Sequence, residues 1–387
     1  MKDYERVIYE GSVKTVRGLK GGSPVYFEFS DDFSVFDWGK MPDSLGKKGA
    51  ALSSIAHQMF KYLSDPIGWD AWIRLNRVSL REMKVSQKIM DDLSTHGQSS
   101  HFLEIIGSEF GPLLKVKGAE VRRPRRESPA KPYEYGSADF PILNRLLPLE
   151  VIFRTGCPKG SSLLKRSSDL PYLKSIGLTT PPKEGESFEY PIVEFSTKLE
   201  DKDRYLDKAQ AKKISHLDDD DFFHLESLVK VMALRLKDFF SELGLTLWDG
   251  KFEFSYSKYL EKPALFVLVD SIGPDELRIT KDGIHLSKEY LRQYYKLSTW
   301  SEKIAQAQSL SKELGLPWQK VMEDKLMCSP PLLEKETKKL ASQIYTVLDQ
   351  LITQKIEGAQ IDPKILSDLV HKLQKNQSKW SSIEGLS

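Results

Sequence analysis

Cysteine is nearly missing from this chain: 387 residues carry only Cys157 and Cys328. Neither a disulfide framework nor a cysteine zinc site can be built from two residues. Cys157 stands between Gly156 and Pro158 with no histidine nearby, so nothing activates a thiolate and it reads as a bystander. Long apolar runs are also lacking, and no stretch approaches the roughly 18 residues that a membrane helix needs. Residues 1–10 are charged rather than apolar, unlike a signal peptide, so a cytoplasmic protein with no membrane partner is expected. Nor is there an excess of charge of one sign. Lys and Arg number 57 against 55 Asp and Glu, a net charge of +2, which is too balanced to argue for nucleic acid. With 40% hydrophobic and 29% charged residues, the chain is not disordered. Its length suits two lobes, or one lobe with additions, around a real core.

Short β-branched or aromatic runs at residues 7–9, 13–16 and 25–29, separated by glycines, predict strands. Residues 49–63 carry Leu52, Ile55, Ala56, Met59, Phe60 and Leu63 at helical spacing, and Asp65-Pro66 ends that helix. Residues 72–78 and 113–121 read as further strands. Four prolines and many charges over residues 122–145 predict a long surface loop or insertion. Its Arg122, Arg123, Arg125 and Arg126 could grip phosphates, although a solvated basic loop is the favoured reading. A strand over 149–154 follows, then a helix over 218–243 with aspartates early and Gly244 just past its end. Strands at 251–256 and 265–270 and a helix over 287–297 come next. The remainder is mostly amphipathic helix, and no internal repeat is present.

Several clusters carry chemistry. Gly11 between two strands, with Lys14 beyond it, lets backbone amides approach phosphate oxygens beside a cation, although strand-glycine-strand alone is usually a hairpin. Asp31, Asp32, Ser34 and Asp37 precede Lys48-Gly49 at a helix start, where anions are favoured; by themselves the carboxylates are best read as turn caps. Glu150 and Arg154 lie four apart on a strand and share one face. Gly160-Ser161 then opens a turn ahead of Lys165-Arg166, a set suited to a phosphorylated substrate. Glu253 and Asp270 each place a carboxylate on a strand otherwise fit for burial, where an isolated charge is costly. As neighbours they could hold one Mg²⁺, which takes one or two carboxylates plus water and nucleotide phosphates. Asp275 and Arg278 follow in the next loop.

Taken in order over residues 9–292, these segments resemble the phosphoribosylaminoimidazole-succinocarboxamide synthase family. The resemblance rests on Tyr9, Gly11, Lys14 and Val16 in the opening strands, then Asp31, Ser34, Asp37 and Lys48-Gly49. It continues through Pro148, Glu150, Val151, Arg154 and Gly160-Ser161, the stretch from Pro191 to Lys198 with Asp207, and Lys251-Phe252-Glu253-Phe254. Asp270 to Arg278 and Lys288 to Arg292 complete it. The resemblance implies a two-lobed α+β fold with ATP between the lobes. It divides the chain into a β-rich nucleotide lobe over 1–121, an insertion over 122–147, a larger substrate and metal lobe over 148–299, and a helical extension over 300–387.

The activity implied is an ATP- and Mg²⁺-dependent ligase that joins aspartate to carboxyaminoimidazole ribonucleotide through an acyl phosphate. Its partners would be small molecules alone. By that analogy Gly11, Ser12, Lys14 and Glu150 bind ATP, Glu253 and Asp270 hold Mg²⁺, and Lys14, Lys251 and Asp270 are catalytic. Ser34, Asp37, Lys48, Arg154, Ser161, Lys198, Asp207, Asp275 and Arg278 would bind the ribonucleotide or aspartate. The chain differs from the family pattern at Ser12, Leu206, Ser271, Glu276, Leu277 and Ser287. Those differences keep three other readings open: a ligase acting on another nucleoside-like carboxylate, a phosphotransferase of the same fold, and a non-catalytic nucleotide binder.

Overall fold

The computed structural model describes residues 3–128, 131–137, 142–259 and 262–382; parts of the expected loop, at 129–130 and 138–141, and the last residues of the extension, 383–387, lie outside them. Two antiparallel sheets organise the chain. The first contains β1 (Val7–Glu10), β2 (Lys14–Gly18), β3 (Val25–Phe29), β4 (Phe102–Ser108) and β5 (Gly111–Val116), in the order β1-β2-β3-β5-β4. The strand expected over 113–121 therefore ends at Val116.

Helix Lys48–Ser64 packs against this sheet through Leu52, Ile55, Met59, Phe60 and Leu63, all buried. Its C-terminal residue Asp65 starts the next helix as well. The Asp65 carboxylate accepts from the amides of Ile67 and Gly68 at 3.1 and 3.0 Å, and Pro66 sits at the first helical position, where its missing N–H is not needed. The result corrects the strand expected over 72–78. Those residues finish helix Pro66–Leu75 and enter helix Arg77–Glu82. Buried Trp69 and Ile73 are four apart, the helical period, and a strong cap outweighs the β-propensity of Trp, Ile and Val.

The second sheet is built on β10 (Thr246–Tyr259). With β6 (Ile142–Leu146), β7 (Leu149–Cys157), β8 (Glu186–Thr197), β9 (Tyr205–Leu206), β11 (Lys262–Val269), β12 (Leu277–Lys281) and β13 (Ile284–His285), it runs β13-β12-β10-β7-β8-β9. Strands β11 and β6 also pair with β10. Strand β6 corrects the loop expected over 122–145 at its end. Ile142 and Arg145 are buried, and Tyr256 pairs with Arg145 in register, so pairing with β10 overrides the proline-rich context before it.

The two faces of this sheet differ in character. Val151, Phe153, Val193, Phe195, Phe252 and Phe254 cover one face and pack under helix Asp219–Glu242, with Phe195 and Phe222 rings 4.9 Å apart. Six such side chains contribute on the order of 10 kcal/mol by burial. A one-residue slip would turn all of them outward, so the register is firmly set. The alternate residues, Glu150, Arg154, Glu194, Ser196, Asp249, Lys251 and Glu253, are thereby forced onto the opposite face. After β13 the chain is helical. Helix Lys335–Ile356 lies along Lys48–Ser64 and joins the same core. Among the described residues, no helix is long and apolar enough to cross a membrane.

Candidate active site

The charged face of the second sheet forms one continuous array. Asp249 and Arg154 are direct partners across β10 and β7, and Glu150 pairs with Ser196 across β7 and β8. Glu253 pairs with Val269 across β10 and β11, which brings Asp270, at the end of β11, close to Glu253. The array meets the first sheet through a salt bridge from Lys14 on β2 to Asp270.

Three lysines brace the carboxylates. Lys14 binds Asp270, Lys198 donates to Glu253 at 2.6 Å, and Lys251 binds Glu150, whose other oxygen accepts from Ser196 at 3.2 Å. Glu253 is 4% exposed. Burial alone would raise its pKa, but Lys198 and Lys251 more than offset this and hold it below the usual carboxylate range. Burial lowers Lys14 to about 8. Lys14 Nζ also lies 4.5 Å from the centre of the Phe27 ring, a cation–π contact that compensates part of the lost hydration. Gly11 closes the turn before it, its amide donating to the Lys14 carbonyl at 2.9 Å.

Asp270 takes a left-handed backbone, φ 67°, which costs a non-glycine residue about 1–2 kcal/mol. His101 holds that conformation by donating from Nε2 to the Asp270 carbonyl at 3.0 Å. Packed between Phe27 and Phe60, His101 is pushed by burial down to about 3, so its ring is neutral. Sequence reasoning did not single out His101, whose signal is structural.

Beside the lysines is an arginine cluster. All five N–H groups of Arg154 are engaged: Nε with Glu194, Nη1 with Asp249 (3.1 Å) and Ser161 (3.4 Å), and Nη2 with Ser162 (3.1 Å) and Tyr205 (3.3 Å). Arg166 contacts Glu194 at 2.6 Å and Arg278 contacts Asp249 at 3.4 Å. Three arginines against two carboxylates leave one net positive charge. Arg166 Nη2 is buried without a hydrogen-bond partner, and Arg278 Nη1 has only its long ion pair with Asp249. These two nitrogens, with the Ser161 and Ser162 hydroxyls between them and Arg154, suit an incoming oxyanion. Arg154 is the frame of this cluster rather than its open donor. Sequence reasoning missed Glu194, Asp249 and Ser162. Glu194 lies within an apolar strand and Asp249 two residues before Lys251, so the period-2 alternation that flagged Glu253 also marks them.

Other expected residues divide. Lys48 is fully buried, 3.0 Å from Asp275. Ser34 is half-buried and Asp37 exposed with φ 59°. Ser12 is half-buried on the turn after β1. Asp31 fills the helix start expected to attract an anion: its carboxylate accepts from the amides of Gly49 at 2.9 Å and Lys47 at 3.1 Å. Asp207 also serves the fold. It is the N-cap of helix Lys208–Ser215, accepting from the Gln210 amide at 2.7 Å in a reciprocal capping box, and that carboxylate is therefore committed to the helix. The acid in the field of the site is Asp203, on the loop after Lys198. Partial burial and repulsion from Glu150 raise its carboxyl to about 6. Among the described residues, no group of three or more acids, histidines or cysteines converges; Glu253 and Asp270 offer two carboxylates, a number that fits Mg²⁺ when water and phosphate complete it.

Two sheets joined at Lys14–Asp270, a lysine-braced carboxylate pair and an arginine-hydroxyl cluster with unused donors equip an enzyme that handles phosphorylated substrates. The model of the SAICAR synthetase family matches residues 7–307. An Archaeoglobus fulgidus protein, provisionally named a phosphoribosylaminoimidazole-succinocarboxamide synthase, is 34% identical over 84% of this chain and 87% of its own. A synthase of that name from Thermoplasma acidophilum is 26% identical over 90% and 99%. The structure of SAICAR synthase from Saccharomyces cerevisiae, complexed with SAICAR, shares the fold at 19% identity and a TM-score of 0.54, over 92% of this chain and 96% of that one. The chain belongs to the SAICAR synthetase family, ATP-dependent ligases that form a carbon–nitrogen bond.

Proposed function

We propose that this protein joins aspartate to carboxyaminoimidazole ribonucleotide at the expense of ATP, giving the succinocarboxamide. Within the family frame, the observation that carries the reading is the pair Glu253 and Asp270, set where the two sheets meet and braced by Lys14 and Lys198. Residues 1–121 then form the nucleotide lobe, 148–299 the larger lobe, 122–147 an insertion and 300–387 a helical extension. The same reading carries the expectation of a cytoplasmic setting.

A carboxylate resists attack by an amine, so it is first phosphorylated and then displaced. Negative charge gathers on the transferring phosphoryl group, and fixed cations nearby stabilise it without reorganising. Lys14, held in place through Asp270 and the Phe27 ring, supplies one such cation, with Gly11 and Ser12 beside the phosphates. Lys251, oriented by Glu150, supplies another. Glu253 and Asp270 would hold Mg²⁺, which neutralises phosphate charge when bound. Arg166, through its unbonded Nη2, and Arg278 take the ribonucleotide phosphate together with Ser161, while Arg154 keeps their geometry. Lys198 keeps Glu253 ionised. Ser34, Asp37, Lys48 and Asp275 lie on the side of the second substrate.

The test follows one oxygen atom. Substrate labelled with ¹⁸O in its carboxylate should deliver one label to the phosphate released, because the amine's attack on the acyl phosphate breaks its C–O bond and phosphate leaves with that oxygen. Unlabelled phosphate would rule out the acyl phosphate. A product that kept the phosphoryl group transferred from ATP would favour the phosphotransferase reading instead.

A further inference from the structure

The family match stops at residue 307, yet the chain beyond it reaches the site. Helix Lys335–Ile356 buries Leu340, Ile344, Leu348 and Leu351 along one stripe. Beside that stripe is Tyr345, 1% exposed. A buried phenol needs an acceptor, and here the hydroxyl donates to Asp275 Oδ1 at 2.7 Å. The other oxygen of Asp275 lies 3.0 Å from Lys48 Nζ, and that ammonium stands 5.3 Å from the centre of the Tyr345 ring. Lys48 has no exposed surface, and its ion pair with Asp275 is its one charged contact, without well-aligned hydrogen-bond geometry. Glu276 Oε2, on the residue after Asp275, is buried and unbonded.

Spare ammonium donors and a neighbouring carboxylate oxygen left unmet in the interior are unfavourable unless a ligand completes them. The tyrosine takes one oxygen of Asp275 and leaves the other to Lys48, so a three-donor ammonium meets a single carboxylate oxygen. The same C-terminal segment holds the loop before Lys48 at two more points: Gln319 donates to the Asp37 carbonyl at 2.7 Å, and Lys338 binds Asp43 at 2.8 Å.

We propose that Tyr345 is a positioning residue for the amine substrate. Its hydrogen bond fixes Asp275 so that Lys48 stays available to a substrate carboxylate, while Asp275 and Glu276 face the substrate ammonium. A small amino acid carrying an extra carboxylate is the ligand class that uses both signs of charge at once. The inference rests on the ligase reading above and gives the C-terminal helices a part in binding.

Steady-state kinetics of Tyr345→Phe on the full chain test it, with each substrate varied in turn. Loss of a hydrogen bond to a charged group should raise KM for aspartate about tenfold, with kcat, KM for ATP and the melting temperature nearly unchanged. An unchanged KM for aspartate overturns the proposal, and so does a parallel rise of every KM with a fall in melting temperature, which would mark a merely structural contact. Should that variant fail to fold, Asp275→Asn carries the test, because it keeps an acceptor for the hydroxyl and removes the charge beside Lys48; an unchanged KM for aspartate again overturns the inference. A wild-type protein that gives no succinocarboxamide product would sink the ligase reading itself, and the inference with it.

Discussion

Arg154→Met removes a guanidinium that is 2% exposed and that uses all five of its N–H groups. Breaking a buried ion pair from one side costs about 3–5 kcal/mol, because the remaining charge is left uncompensated. Two features reduce that figure here. Glu194 keeps Arg166 at 2.6 Å, and Asp249 keeps Arg278 at 3.4 Å. The Ser162 and Tyr205 hydroxyls retain each other at 3.1 Å. A loss of about 3 kcal/mol is therefore expected, a large share of the roughly 5–15 kcal/mol that holds most domains together. Urea unfolding of wild type and variant, extrapolated to water, measures it. A loss below about 1 kcal/mol would refute the view that Arg154 is the frame of the cluster.

Glu253→Gln should lower turnover by about 100-fold or more, with folding intact by circular dichroism; substantial activity would mean that the metal carboxylate is misassigned. Gly49→Ala should destabilise the protein by about 2 kcal/mol or more, since an added Cβ would lie 2.1 Å from the Phe29 carbonyl oxygen, and a neutral result in thermal melting would contradict that close approach. His285, buried and pushed down to about 4, takes up a proton in the unfolded chain before the folded one. Stability should therefore fall as pH drops from about 6.5 to 4, with His285 contributing up to about 1.4 kcal/mol per pH unit. His285→Asn should flatten that slope, and an identical slope in wild type and variant would show that His285 does not contribute.

Much of this was legible in the sequence because the physics is local. Strand alternation placed Glu253 and Asp270 on strands that had to be buried, and helical spacing located Lys48–Ser64 and Asp219–Glu242 to within a residue or two at each end. What stayed hidden depends on pairing between distant segments. Residues 72–78 look like a strand by composition, and only the Asp65 cap, acting through backbone amides, makes them helical. Strand β6 exists because β10 offers it an edge. Asp207 resembles a substrate ligand in sequence but sits one residue before a helix that needs a cap. The engagement of Arg154 joins side chains up to 95 positions apart, and the reach of Tyr345 to Asp275 spans 70. No periodicity encodes either contact.

The central claim is tested most directly by ADP release in a mixture of ATP, Mg²⁺, carboxyaminoimidazole ribonucleotide and aspartate, each omitted in turn, with the product identified by mass. The account predicts turnover only when all four are present, with one succinocarboxamide formed for each ADP. ATP binding without turnover, or ADP release that does not depend on aspartate, would contradict it.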